Sequence, residues 1–174
     1  MVDTRSRVEL LDEIEKAAHD YERDFHGCSR CVFKALQDHL DLGDSASLRA
    51  ATPLAAGIAL RGETCGALVG GLMALGIVTA SENMEDFDAL AGSLTAAFRL
   101  AKRVEKELGT TSCTRIQTER LGRFYSLADP DQYEAFIKAG GYVECPKVVG
   151  RIARITAEFI LDYLDRETSG IQNT

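Results

Sequence analysis

Five cysteines, Cys28, Cys31, Cys65, Cys113 and Cys145, are the residues of this chain best suited to chemistry. The thiolate is the form that binds metal, attacks disulfides and is oxidised, and it is favoured where a helix N-terminus lies beside the sulfur. Four of the five stand where the local pattern predicts a helix to begin. Cys28 follows Gly27, Cys65 follows Thr64, Cys113 follows Thr110-Thr111-Ser112, and Cys145 precedes Pro146, which suits a first helical position. A buried cysteine acting as a small hydrophobe is the ordinary alternative for any one of them. That alternative weakens with repetition, because filler has no reason to choose helix starts four times. Cys31 falls one turn inside its helix and reads as packing unless it is used together with Cys28 as a Cys-x-x-Cys pair.

Three uses of the thiols are chemically open. A metal or iron–sulfur centre needs four ligands, which Cys28, Cys65, Cys113 and Cys145 supply. Their long spacings are not those of a zinc ribbon or a bacterial ferredoxin, so only the fold could assemble them. A dithiol/disulfide cycle needs two thiols in reach of each other, a condition Cys28 and Cys31 meet if their helix start is loose. Attachment of c-type haem is argued against, since Val32 and not histidine follows Cys31. Cys65 is expected to be the most activated thiol, with a pKa below the free value of about 8.5, whereas Cys31 lies beyond most of the helix-terminal field. Of the three histidines only His26 lies near a cysteine; it reads as an exposed turn residue, with a base or ligand role as the alternative. Glu63 beside Cys65 would oppose thiolate formation unless solvated and reads as a loop residue. No Ser-His-Asp set, phosphate loop or His-Glu-x-x-His pattern is present.

These thiols must be positioned by helices, for no stretch shows strand alternation. The central one is the run from Gly62 to Ala80, where Thr64 is the expected N-cap and Leu68, Leu72 and Leu75 recur at helical spacing. Gly66, Gly70, Gly71 and Gly76 each cost about 1 kcal/mol of helix propensity, so close approach of another backbone is expected there. Val2–Phe25 is predicted to be an amphipathic surface helix, Cys28–Leu40 a second short one stopped by Gly43, and Leu48–Leu60 an alanine-rich segment bent or opened by Pro53. Asp86–Leu108 carries Phe87, Leu90, Leu94, Phe98, Ala101, Val104 and Leu108 as an apolar stripe ending at Gly109. Shorter helices are expected to reach Leu121 and to span Asp131–Ala139, and a last one Lys147–Arg166. The expected fold is an all-α single-domain bundle of residues 1–167 packed around the glycine-rich helix, with 168–174 as a loose tail.

The chain of 174 residues is long enough to bury a core without disulfides or metal, and its net charge of −7, with no basic run, argues against a nucleic-acid partner. Met1–Glu15 lacks a signal-peptide apolar region, and the central apolar run is short of the ~20 residues of a membrane span, so a cytoplasmic protein with no membrane partner is expected.

The segment Cys65-Gly66-Ala67-Leu68-Val69-Gly70, with Cys28 before a helix, Cys113 after a Gly-Ser/Thr turn and Cys145 further on, resembles the Cys-GCAxxG-Cys-Cys family, small proteins to which a redox activity is ascribed. The resemblance covers about Cys28–Leu164, and Cys31 departs from it, an alanine or other small residue being expected there. It implies a cytosolic redox-active protein whose Cys28, Cys65, Cys113 and Cys145 serve as catalytic thiols or as ligands of a metal or iron–sulfur centre, without choosing between them. A redox partner protein or a small-molecule thiol would then exchange electrons with it. The competing class is a non-catalytic helical interaction module, a homodimer through the glycine-rich helix, with structural cysteines or a structural zinc site.

Overall fold

The computed structural model describes residues 6–171, and among them the chain forms eight α-helices and one 3-10 turn with no strand, an all-α single-domain bundle. Helix α1 (Arg7–Phe25) starts at a reciprocal cap in which the Ser6 hydroxyl accepts from the Glu9 N–H and the Glu9 carboxylate accepts from the Ser6 N–H. Its inner face is Leu11, Ile14, Ala18 and Glu22. This face lies along α8 (Gly141–Ile171), to which Arg154 ties it through Asp12 and Glu15. Helix α4 (Gly66–Thr79) is apolar all round and packs against α2 (Cys28–Leu40), α5 (Phe87–Leu108) and α8, as expected for the organising element. The short helices α3 (Ser45–Ala51), α6 (Cys113–Leu121) and α7 (Pro130–Lys138) close the remaining sides, each capped by a side-chain oxygen, from Asp44, Ser112 and Asp129 respectively.

Four local expectations are corrected. Residues 55–60 do not continue a helix: after the 3-10 turn Thr52–Leu54, positions Ala56, Gly57, Ile58, Ala59 and Leu60 all take left-handed φ between 52° and 72°. Hydrogen bonds from Ala59 to Pro53, Gly62 to Ala56 and Glu63 to Gly57 hold this turn against the intrinsic right-handed preference of its residues. The stripe on α5 is its core face only in the C-terminal half, where Val104 is buried and Ala101 and Leu108 pack against the core; in the first half Ala96 and Leu100 are buried instead, and Phe87, Leu94 and Phe98 are 71%, 63% and 63% exposed. Helix α8 begins at Gly141, so Cys145 lies one turn inside it and is not its N-cap, and Pro146 is an interior proline. The Gly140-Gly141 pair supplies the break instead, the Gly140 carbonyl accepting from Val143 and Glu144. The same helix continues to Ile171, past Arg166; residues 1–5 and 172–174 lie outside the described residues. No helix among the described residues is long and apolar enough to cross a membrane.

Candidate functional site

The site begins with an isolated antiparallel pairing of Thr64 with Ser112. The Cys65 N–H donates to the Thr111 carbonyl at 2.8 Å and the Cys113 N–H to the Glu63 carbonyl at 2.7 Å, so the chain segments entering α4 and α6 are clamped side by side. Side chains alternate across such a pairing, which sends Cys65 and Cys113 off the same side of it. Thr64 is consumed by the pairing, and Cys65 itself is the N-cap of α4, in place of the expected threonine. Cys113 is the first residue of α6, capped by Ser112, and Cys28 the first of α2, after a left-handed Gly27. Three of the four cysteines thus occupy helix starts.

The Cys65-Gly66-Ala67-x-x-Gly70 segment is shaped by what crosses it. A β-carbon on Gly66 would stand 2.6 Å from the Cys28 sulfur and 2.9 Å from the Leu54 carbonyl oxygen, so its absence is what lets Cys28 reach the start of α4. One at Gly70 would lie 2.1 Å from the Ser29 carbonyl oxygen of α2, and one at Gly71 2.6 Å from Thr156 Oγ1 of α8. At Gly66, Gly70 and Gly71 the glycine face of α4 is therefore filled from within the chain, whereas Gly76 faces open space.

These crossings place Cys28, Cys65, Cys113 and Cys145 on the wall of one cavity of about 170 Å³. Its other walls are mostly apolar or aromatic, with Phe136, Tyr133 and Tyr142 on one side and the left-handed turn, through Ala55, Ala56 and Leu60, on another. The Ala56 N–H donates to the Cys28 sulfur at 3.4 Å, and the Gln117 amide donates to the Cys113 sulfur at 3.7 Å. Glu22 also lines the cavity, a residue the sequence pattern did not single out. It is 4% exposed, and its Oε2 has no hydrogen-bond partner. Cys31 does not line the cavity; it is buried behind it, its thiol 3.3 Å from the His26 carbonyl oxygen. His26 is half-buried rather than exposed, its ring stacked on Tyr142 at 3.7 Å and its Nδ1 2.9 Å from the Glu22 carbonyl oxygen.

Burial dominates the electrostatics. It pushes the Cys65 thiol up to about 12, with neighbouring Cys113 adding to the effect and the Ala67 and Leu68 N–H groups only partly opposing it. The expectation of a lowered value fails for a reason of magnitude: a helix terminus is worth at most ~2 kcal/mol, while full burial moves a group by ~3–5 pKa units. Burial likewise raises Cys28 and Cys145, each with Glu22 as the next cause, and it raises Cys113. Cys31 is raised as well, by burial and then by Glu22. All five are free thiols in this structure, Cys31 and Cys65 buried and Cys28, Cys113 and Cys145 half-buried, and the upward shifts favour their protonated form at neutral pH.

Among the described residues no three His, Cys, Asp or Glu side chains stand close enough together to hold a metal ion. As placed, the four cavity cysteines do not form the ligand set of a four-thiolate centre. Their common wall instead gives thiols from four separate segments, a buried carboxyl group and a low-dielectric space between them.

Residues 26–159 match a family model described as "Putative redox-active protein (C_GCAxxG_C_C)". No curated protein and no solved structure gives a significant match to the chain.

Proposed function

This chain belongs to the C_GCAxxG_C_C family, whose description supports a redox role, and we propose that it is a dithiol redox protein acting through the cysteines of the cavity. The observation that carries this reading is the convergence of Cys28, Cys65, Cys113 and Cys145 on one cavity from positions spread over most of the chain. Cys28 and Cys65 are the pair we expect to join, because the Cys28 sulfur packs on Gly66, the residue after Cys65. The reaction is a thiol–disulfide exchange: two protein thiols and one acceptor disulfide become one protein disulfide and two acceptor thiols, two electrons passing to the acceptor. Reduction by a small thiol or a partner dithiol runs the same exchange backwards.

The test is to purify the protein anaerobically, reduce it, treat it with 2,2′-dithiodipyridine and map the bonds formed by peptide mass spectrometry. The expected product is an intramolecular disulfide between Cys28 and Cys65, with two pyridinethiones released per bond. Iron or zinc in stoichiometric amount in the anaerobically purified protein would overturn the reading in favour of a thiolate-bound metal. Cavity cysteines that stay unreactive while the fold is intact would leave the helical interaction module.

A further inference from the structure

Exchange at these thiols needs something to take the proton, since the thiolate is the attacking species and desolvation in the cavity favours the protonated form of each cysteine. The cavity wall contains one carboxyl group, Glu22, on the inner face of α1 and in line with Leu11, Ile14 and Ala18. A glutamate on that face is costly unless used, and among the described residues its Oε2 is the one buried side-chain nitrogen or oxygen without a partner. The Cys31 thiol and the charge of Arg30, both on α2 and neither on the cavity wall, also act on the carboxylate. On the cavity side it is felt by Cys28 of α2, Cys65 of α4, Cys113 of α6, and Tyr142 and Cys145 of α8. Glu22 precedes residue 26, where the family match begins.

We propose that Glu22 is the proton relay of the dithiol couple, taking the proton of a cavity thiol as it attacks and handing it to the thiolate that leaves. This rests on the dithiol reading above. In the forward direction the Glu22 carboxylate removes a thiol proton, and the new thiolate attacks one sulfur of the acceptor disulfide. That disulfide breaks, a mixed disulfide forms, and the departing acceptor thiolate receives the proton from the Glu22 carboxylic acid. The second protein thiol then loses its proton to Glu22, attacks the protein sulfur of the mixed disulfide, and expels the second acceptor thiolate, which is protonated in turn. Glu22 ends as it began, and atoms, protons and electrons balance. Burial holds its carboxyl at about 7, a value suited to both halves of the relay near neutral pH.

The decisive experiment is the rate of oxidation of reduced wild type and Glu22→Gln by 2,2′-dithiodipyridine between pH 5 and 9, with the final disulfide mapped in both. The expected result is an unchanged product in Glu22→Gln, a rate lowered by about 10²-fold at pH 7, and loss of the wild-type inflection near pH 7. Equal rates and pH profiles in the two proteins would overturn the relay and leave the dithiol reading standing. Failure of wild type to form any disulfide would overturn the dithiol reading itself. Should Glu22→Gln not fold, carbon NMR of carboxyl-labelled wild type decides: the relay requires a Glu22 titration near pH 7, and ordinary carboxyl behaviour would exclude it.

Discussion

A carboxyl group buried with one oxygen unpartnered lowers the stability of the fold whenever it is ionised, and this is the position of Glu22. Its ordinary value is 4.5 and burial raises it to about 7, so between these pH values the native protein holds a proton that the unfolded chain has released. Stability contributed by the protonated group is therefore present below about pH 4.5 and is lost as the pH rises to about 7. Glu22→Gln removes that loss. The variant is expected to exceed wild type at pH 8 by up to ~3 kcal/mol more than it does at pH 4.5. Urea unfolding of both reduced proteins at the two pH values measures this, and a pH-independent difference would show that Glu22 ionises freely in the fold. The sequence names the four cysteines by type and setting, but it hides Glu22 among the charges Asp20, Arg23 and Asp24 of the same helix. The signal that could have found it is its position four residues after Ala18, on the stripe begun by Leu11 and Ile14.

Among the elements, α4 shows which features of a helix can be read from composition. Four glycines in an apolar helix imply close neighbours, and two of them, Gly70 and Gly71, do meet a crossing helix; Gly76 has open space where its side chain would be. Gly70→Ala is expected to destabilise by about 1–3 kcal/mol or more, since the Ser29 carbonyl oxygen cannot move without shifting α2. Gly76→Ala should stabilise by up to ~1 kcal/mol through helix propensity alone. Thermal unfolding of the pair gives opposite signs; equal signs would mean that the helix crossing does not constrain α4. What composition cannot show is an element made by its surroundings. Ala55-Ala56-Gly57-Ile58-Ala59-Leu60 has the residues of a helix and little of a turn, yet backbone hydrogen bonds within residues 53–63, with one from Ala56 N–H to the Cys28 sulfur, hold it left-handed beside the cavity. Likewise Pro146 looks like a helix start, and only the Gly140-Gly141 break, which leaves one more turn ahead of Cys145, shows that it is not. The periodicity of α5 is real, but it cannot tell which of two apolar faces the bundle covers.

Across the whole molecule, the chain brings four distant thiols and one carboxyl group to a single space and lines it with aromatic rings, a proline-bearing helix and the left-handed turn. The sequence announces the thiols; their shared wall depends on helix crossings that no local pattern encodes. The size of that space has a consequence for the company these cysteines can keep. A volume of about 170 Å³ matches five or six water molecules, or one benzene-sized guest. A bulky reagent is therefore expected to meet these thiols more slowly than a slender one of equal reactivity. Methyl methanethiosulfonate should modify the cavity cysteines of the native protein, while a maleimide carried on a long polyethylene glycol chain should reach them only after denaturation. Labelling followed by gel shift and mass spectrometry checks this, and equal labelling of native protein by both would mean that the wall opens widely in solution. On the dithiol reading, an acceptor disulfide would then present its sulfur on a slender arm, as a small disulfide does and a disulfide recessed in a folded surface does not.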